Sequence, residues 1–128
     1  MNDQDLKIKV QSSLNHQLQT SDCATPIQTL LDLNILSKED YERWRTGKVD
    51  YLERVCHTNL RKLTTISKAI REYAKDQKLK ESYTVYKQWG TKNKNRKLRF
   101  SKSGKETIER NYATHYIRNK ETGTVDIC

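Results

Sequence analysis

Apolar residues recur at steps of three and four from Asp50 to Lys78, which is the spacing of one face of an α-helix. Asp50 is a typical N-cap residue, and neither glycine nor proline follows it before Gly90. The pattern predicts one long helix that forms the centre of a small helical domain. Its apolar face contains Leu52, Val55, Cys56, Leu60, Leu63, Ile66, Ile70, Tyr73 and Ala74.

Shorter helical patterns precede this long helix. In the range Asp5–Gln19, leucine or valine occurs at every fourth position and predicts a helix with one narrow apolar face. The pair Thr25-Pro26 is typical of a helix N-terminus and predicts a short helix after it. Ser37, with an acidic residue three positions later, approximates a capping box for a helix over Lys38–Thr46. We expect Trp44 on that helix to be buried against the long helix.

The pattern becomes strand-like beyond residue 81. Residues 82–89 are rich in aromatic and β-branched residues, and residues 97–101 alternate between polar and apolar. The intervening residues 90–95 are typical of a turn, so the sequence predicts a small β-hairpin at about 83–101. A helix through 83–89 fits the spacing of three between Tyr83, Tyr86 and Trp89 nearly as well, and the alternatives stay open.

A final helix is predicted from Lys105 to about Ile117, and residues 118–128 are predicted to form a flexible tail. The expected fold class is therefore mostly α. We predict a single-domain helical bundle, residues 1–117, around one long helix, with a small basic β-hairpin near its C-terminal end. Since only 34% of the residues are hydrophobic and 32% are charged, we expect a thin core and a heavily solvated surface.

The sequence also bears on cellular location and on metal binding. No apolar run approaches the roughly 18 residues of a membrane span, and the first residues lack the basic start of a signal peptide. The three cysteines are odd in number and far apart, without the spacing of a zinc site. We therefore predict reduced thiols, no metal, no cofactor, no membrane contact and a cytoplasmic location.

Positive charge is concentrated in the C-terminal part of the chain. The formal net charge is +9, yet residues 1–50 contain 6 Lys and Arg against 8 Asp and Glu. Residues 78–128 contain 13 Lys and Arg against 5 Asp and Glu. Such an asymmetry predicts a basic surface for an anionic partner, either DNA or RNA or an acidic protein.

The highest density of basic residues lies between Tyr83 and Lys105, a stretch without any acidic residue. Cations neutralise phosphates, and the aromatic residues among them offer stacking surfaces to unpaired bases. This composition predicts a nucleic-acid-binding site. Its predicted residues are Lys87, Trp89, Lys92, Lys94, Arg96, Lys97, Arg99, Lys102 and Lys105.

The stretch from Ser101 to Lys105 leads directly into the last predicted helix. Free amides at a helix start, next to hydroxyl groups, are typical of an anion site, and we predict a phosphate contact at Ser101, Ser103 and Gly104. The glycine spacing of a P-loop is absent. An ordinary helix cap explains the same residues equally simply.

Candidates for catalysis are few. His115 as a general base, with Arg99 or Lys102 stabilising a pentavalent phosphate, would suit metal-free RNA cleavage. This gives the alternative hypothesis of a small ribonuclease-like toxin or nuclease. Another alternative is an interaction module for an acidic protein partner. The favoured hypothesis is a nucleic-acid-binding accessory or regulatory protein, for which the sequence does not separate DNA from RNA.

Several segments together resemble a group of small uncharacterised bacterial proteins. The resemblance extends from about Thr25 to Ile117 and implies a bacterial, cytosolic origin, without transferring a functional residue. The segments that carry it are Lys38–Gly47, Tyr51–Arg54, Tyr86–Gly90, Leu98–Gly104 and Tyr112–Tyr116.

Overall fold

Five α-helices, one 3₁₀ helix and three short strands make up the described part of the chain, which is residues 2–90 and 96–118 of a computed structural model. The protein is therefore mostly helical, with a small antiparallel sheet. In chain order the elements are α1 (Asp3–Ser21), β1 (Cys23–Ala24), α2 (Pro26–Asp32), α3 (Lys38–Arg45), the 3₁₀ helix (Leu52–Val55), α4 (Leu60–Asp76), β2 (Lys80–Tyr83), α5 (Glu106–Ala113) and β3 (Thr114–Ile117).

Helices α1 and α4 pack against each other through aliphatic side chains. The row of fours in α1 is buried as predicted, because it follows the helical period. Most of the predicted apolar face of α4 is buried too, but Leu60 at its start is 64% exposed. The buried apolar residues are Leu6, Val10, Leu14 and Leu18 on α1 and Leu63, Ile66, Ala69, Ile70 and Ala74 on α4.

The prediction of one continuous helix from Asp50 is wrong. The 3₁₀ helix ends at Val55, and α4 begins only at Leu60, where the Asn59 side chain accepts from the Lys62 amide (2.9 Å) as the N-cap. Tertiary hydrogen bonds hold the first segment apart from α4. The amides of Leu52 and Glu53, for example, donate to the carbonyls of residues 99 and 100. With 17 residues, α4 is shorter than the 19-residue α1, so no single long helix organises the fold.

The three strands form an antiparallel sheet in the order β1-β3-β2, which the sequence did not predict. Its central strand β3 pairs Ile117 with Cys23 on one side and with Lys80 on the other. The last helix predicted to Ile117 therefore ends at Ala113. All four β3 residues are buried, since a central strand is covered on both edges by its neighbours.

The predicted hairpin is present in a shorter form. Lys87 lies opposite Lys97 in an antiparallel bridge, with backbone hydrogen bonds from Gln88 to Arg96 and from Leu98 to Tyr86 (both 2.8 Å). We call residues 86–88 and 96–98 the hairpin. Residues 80–83 belong to β2 and pair with β3, and a helix over 83–89 is ruled out. Residues 91–95 of the predicted turn and residues 119–128 of the predicted tail lie outside the described residues.

Aromatic rings fill the space beneath the hairpin. Trp44 is fully buried as predicted, but its ring neighbours are Tyr86 (5.8 Å between centroids) and Phe100 (5.1 Å), which come from the hairpin region. The Trp44 Nε1–H also donates to the Arg99 carbonyl (2.8 Å). We call these rings the aromatic cluster. It comprises Tyr41, Trp44, Tyr86, Trp89, Phe100, Tyr112 and His115.

Candidate nucleic-acid interface

Side chains alternate between exposed and covered along the extended segment from Glu81 to Trp89. Each odd-numbered residue of this segment is exposed, whereas the even-numbered residues are buried or half-buried. Such alternation follows from the period of two in an extended chain. Tyr86 anchors the segment, since it is only 8% exposed and lies in the aromatic cluster. The exposed side chains after the first residue are Tyr83, Val85, Lys87 and Trp89.

Two lysines lie directly opposite each other on the hairpin. Lys87 and Lys97 are bridge partners, so their side chains leave the same face of the hairpin, and both are exposed. Arg96 is exposed next to them and donates to the Gln88 side chain (3.3 Å). The ion pairs between described residues that reach an acidic side chain involve other arginines, namely Arg43, Arg54, Arg61 and Arg118. The hairpin cations thus carry their charge without a carboxylate partner among the described residues.

Trp89 adds an exposed aromatic ring beside these cations. It is 44% exposed, and the Arg45 guanidinium lies over its ring at 4.5 Å from the centroid. The Trp89 amide donates to the Arg45 carbonyl (2.6 Å), which fixes the backbone at this point. The Tyr41 ring meets Trp89 in a T-shaped contact at 5.8 Å. We call the exposed hairpin residues Lys87, Arg96 and Lys97, together with Trp89 directly after the first hairpin strand, the basic surface.

Arg45 is oriented entirely by aromatic and backbone contacts. Its guanidinium also lies 5.0 Å from the centroid of Tyr86, so it is held next to two rings. The Arg45 Nε is buried and has no hydrogen-bond partner. α3 lies some forty residues before the hairpin in sequence, so no local sequence pattern indicates the contact of Arg45 with Tyr86 and Trp89. Arg45 is therefore absent from the predicted site residues.

The loop that follows the hairpin is held by a carboxylate of the protein itself. Glu109 accepts from the amides of Phe100 (2.8 Å) and Ser101 (2.7 Å) and from the Ser101 hydroxyl (2.5 Å). The Gly104 amide donates in turn to the Ser101 hydroxyl (3.0 Å), and the Lys105 amide to the Ser103 hydroxyl (3.3 Å). These amides therefore have internal acceptors, so the geometry does not favour a phosphate site at Ser101, Ser103 and Gly104. These residues do not cap the helix either, because the N-cap of α5 is Lys105, which makes no side-chain cap hydrogen bond.

A second carboxylate supports the same loop from the 3₁₀ helix. Glu53 accepts from the Lys102 amide (3.0 Å) and from the Tyr112 hydroxyl (2.7 Å). Burial, together with this hydrogen bond to Glu53, raises the pKa of Tyr112, so its hydroxyl stays protonated. The side chains of Lys102 and Lys105 are exposed on this loop. We call residues 99–105 the basic loop.

The residues of the predicted nuclease site are engaged in other contacts. His115 is 5% exposed and lies in β3, where its Nε2 is 2.7 Å from the Tyr86 hydroxyl and its Nδ1 is 3.3 Å from the Thr84 hydroxyl. Burial lowers the pKa of His115. The Arg99 guanidinium donates to the carbonyls of Ser101 (2.8 Å) and Lys102. The structure therefore gives the nuclease alternative no support.

Neither of the two described cysteines, Cys23 and Cys56, has the character of a reactive thiol. Cys56 is a half-buried free thiol whose pKa is raised to about 12, first by burial and then by the nearby Glu53 carboxylate. Cys23 is disulfide-bonded, so the prediction of reduced thiols is wrong at this residue. Cys128 lies outside the described residues. Residues 2–90 and 96–118 contain no group of His, Cys, Asp and Glu that could hold a metal ion.

The predicted site residues therefore fall into three groups. Lys87, Arg96 and Lys97 lie on the hairpin, with Trp89 directly after its first strand, and Arg99, Lys102 and Lys105 follow on the basic loop. Lys92 and Lys94 lie outside the described residues.

No helix of the described ranges is both long and apolar enough to cross a membrane. No protein-family model, curated protein or solved structure matches this chain. The resemblance to small bacterial proteins therefore gains no support from these comparisons. The bacterial origin and the cytoplasmic location remain predictions from the sequence, and the proposal of a function depends on the site alone.

Proposed function

We propose that this protein binds nucleic acid through the basic surface of the hairpin and the adjacent basic loop. The observation that carries the proposal is the pair formed by Lys87 and Lys97. Like charges directly opposite each other in an antiparallel pair destabilise it, and no described carboxylate offsets their repulsion. A phosphate backbone bound across the hairpin would neutralise both lysines and release counterions.

The exposed ring of Trp89 favours nucleic acid over an acidic protein partner. An acidic protein would need only the cations, whereas a nucleic acid presents phosphates and also bases that stack on aromatic rings. Trp89 lies next to the paired lysines on the same extended segment and is 44% exposed. The combination of free cations and an accessible indole is therefore typical of a nucleic-acid-binding surface.

We propose binding without strand cleavage. The candidate general base His115 is buried in the sheet, and both of its ring nitrogens lie within hydrogen-bond distance of a hydroxyl group. A general base must reach the proton that it abstracts, directly or through one water molecule. This arrangement fits an accessory or regulatory protein that binds nucleic acid without cleaving it better than it fits a nuclease.

The test is a charge reversal on the hairpin with a matched control. We expect Lys87→Glu/Lys97→Glu to weaken binding to a labelled oligonucleotide by tenfold or more, because two phosphate contacts become repulsive. Lys9→Glu/Lys68→Glu makes the same change in net charge at exposed positions of α1 and α4. We expect this control to retain most of the affinity at moderate salt.

Fluorescence anisotropy measures the affinities, and thermal unfolding shows that both variants are folded. Equal losses in the two double variants would mean that net charge alone causes the binding, which would contradict a specific surface. Full affinity in the hairpin variant would contradict the proposal directly. Shortening of the oligonucleotide in the same samples would instead favour the nuclease alternative.

A further inference from the structure

Each of the two exposed aromatic rings of the segment 81–89 lies against an arginine side chain from another element. The Arg45 guanidinium lies 4.5 Å from the centroid of Trp89, and the Arg110 guanidinium lies 5.5 Å from that of Tyr83. Each of the two residues nevertheless keeps almost half of its surface in solvent, 44% for Trp89 and 47% for Tyr83. An arginine against an aromatic ring is held by a cation–π contact, which fixes the ring while leaving its exposed part accessible.

The two rings belong to the exposed set of alternating residues, which the period of two in an extended chain places on one side. Residues 83, 85, 87 and 89 are alternate positions of one extended segment, and all four side chains are exposed. At about 3.3 Å per residue, the six steps from Tyr83 to Trp89 span roughly 20 Å. Val85 and Lys87 lie between the two rings. The segment therefore presents a continuous row of aromatic, apolar and basic groups along the edge of the fold.

The open edge of the sheet limits what can lie along this row. β2 pairs only with β3 and is an outer strand in the order β1-β3-β2, so no described strand pairs with its other edge. Arg110 and Arg45 add positive charge at the two ends of the row, and Lys87 and Lys97 add it near the Trp89 end. The row thus combines ring surfaces with cations rather than with a broad apolar groove.

We propose that this row binds a single strand of nucleic acid, with unpaired bases stacking on Tyr83 and Trp89 and with phosphates near Lys87 and Lys97. This inference rests on the proposed function and names its substrate class. A duplex keeps its bases stacked inside and offers only phosphates and groove edges to this row. A single strand can place bases on both rings, so it gains stacking energy that the duplex does not gain.

A protein segment is the competing occupant, since Tyr83, Val85 and Trp89 are exposed next to a free strand edge. The cations decide between the two. Four positively charged groups, those of Arg45, Lys87, Lys97 and Arg110, lie on or next to the row, whereas Glu81 at its beginning is its one carboxylate among residues 81–90. Such a charge balance fits a polyanion that also offers planar rings.

Tryptophan fluorescence tests this inference directly. The chain contains two tryptophans, of which Trp44 is fully buried, so a stacked base changes the emission of Trp89 alone. The probes are a 12-nucleotide oligo(dT), a 12-nucleotide oligo(U) and a 12-base-pair DNA duplex at the same salt concentration. We expect saturable quenching by the single strands, with an affinity at least about tenfold above that for the duplex.

Substitutions separate stacking from charge. We expect Trp89→Leu and Tyr83→Leu each to weaken single-strand binding by roughly tenfold and to leave duplex binding nearly unchanged. Fluorescence anisotropy of the labelled probes measures both affinities. Trp89→Phe keeps a ring and should restore most of the affinity. Val85 lies in the same row but has no ring, so Val85→Ser should have little effect on single-strand binding. If the row instead bound a hydrophobic protein segment, Val85→Ser would weaken that binding.

The outcomes are distinguishable from those of the proposed function. Equal affinity for single strands and duplex, with unchanged Trp89 emission, would overturn the inference while nucleic-acid binding through the lysines stands. Unaltered single-strand binding in both leucine variants would overturn it as well. If none of the probes binds the parent protein at low salt, both proposals fail together.

Discussion

The contact between α1 and α4 and the aromatic cluster beneath the hairpin are built in different ways. The first joins two regular helix faces made of leucine, isoleucine, valine and alanine. The second collects rings from four short segments that lie far apart in sequence, around residues 41–44, 86–89, 100 and 112–115. Hydrogen bonds cross the aromatic cluster, for example from Trp44 to the Arg99 carbonyl, whereas the helix contact relies on apolar packing.

The difference matters because the basic surface lies on the aromatic side. The positions of Lys87 and Trp89 depend on Tyr86, Arg45 and the residues that hold them. A change in the helix contact should therefore lower stability alone, whereas a change in the aromatic cluster should lower stability and also disturb binding. Substitutions on the two sides of the molecule can therefore separate effects on stability from effects on binding.

Trp44→Ala should produce the largest loss of stability. Removing a fully buried indole leaves a cavity and removes one of the two hydrogen bonds that the Arg99 carbonyl accepts, the other coming from the Leu52 amide. We expect a cost on the order of 3–5 kcal/mol in urea unfolding. The matched change on the other side is Leu14→Ala in α1, with an expected cost of about 2–5 kcal/mol.

Binding then separates the two variants. At a temperature where both remain folded, Leu14→Ala should bind oligonucleotides like the parent, and Trp44→Ala should bind them more weakly. If Leu14→Ala weakens binding to the same extent, the two sides of the molecule are not independent, and the comparison drawn above is wrong.

The same contrast explains what the sequence predicts about the fold. The α1 row and the N-caps at Thr25 and Ser37 depend on neighbours within a few residues, and the structure confirms all of them. The break before Asn59 and the strand β3 depend instead on hydrogen bonds to distant segments. Hydrophobic periodicity contains no information on such distant contacts. The helical pattern in the sequence therefore continues through the break before Asn59 and through β3.

Glu109→Gln should have the next largest effect. A glutamine side chain is neutral and accepts only at its one oxygen. Of the backbone amides of Phe100 and Ser101, one therefore loses its acceptor and the other keeps only a neutral acceptor. We expect a loss of about 1–3 kcal/mol in the free energy of unfolding, and a reduced affinity because the basic loop is less well held. Glu106→Gln removes the same charge at an exposed position of α5 and should cost less than about 1 kcal/mol. Equal effects of the two substitutions would show that charge at the start of the helix, rather than the loop contact, is responsible.

His115 should give stability a dependence on pH. Burial lowers its pKa in the folded state below the ordinary value of 6.5, so the unfolded state takes up a proton first as the pH falls. The stability contributed by neutral His115 is therefore complete above pH 6.5 and is lost progressively below it. In urea unfolding from pH 7.5 to 5, His115→Gln should lack this component, whereas His16→Gln on the exposed side of α1 should retain it. An unchanged pH dependence in the His115 variant would contradict its burial as a neutral group.

Lys87→Glu alone should have the smallest effect on stability, and in the opposite direction. The new carboxylate would lie opposite Lys97, and the change from repulsion to attraction should stabilise the fold by roughly 0.2–1 kcal/mol. The same substitution should weaken nucleic-acid binding, because one phosphate contact is lost. Thermal unfolding and anisotropy measure the two effects. If the variant is less stable than the parent and binds nucleic acid with full affinity, the paired lysines do not form a phosphate contact.

The candidate site was predicted from sequence only in part. A run of cations without acids between Tyr83 and Lys105 is a local property, so composition alone could identify it. The contacts of Arg45 and Arg110 with the exposed rings join separate elements and could not be predicted in that way. The use of Glu53 and Glu109 to hold the basic loop was missed for the same reason.

The salt dependence of binding is the most direct measurement of the central claim. The exposed cations Lys87, Arg96, Lys97, Lys102 and Lys105 are available for phosphates, and four to five contacts with a single strand predict a slope of about −3 in a plot of log K against log salt concentration. In Lys87→Glu/Lys97→Glu the slope should become shallower by about 1.4. A parent protein that binds with a slope near zero, or a double variant with the parent's slope, would contradict nucleic-acid binding through the hairpin.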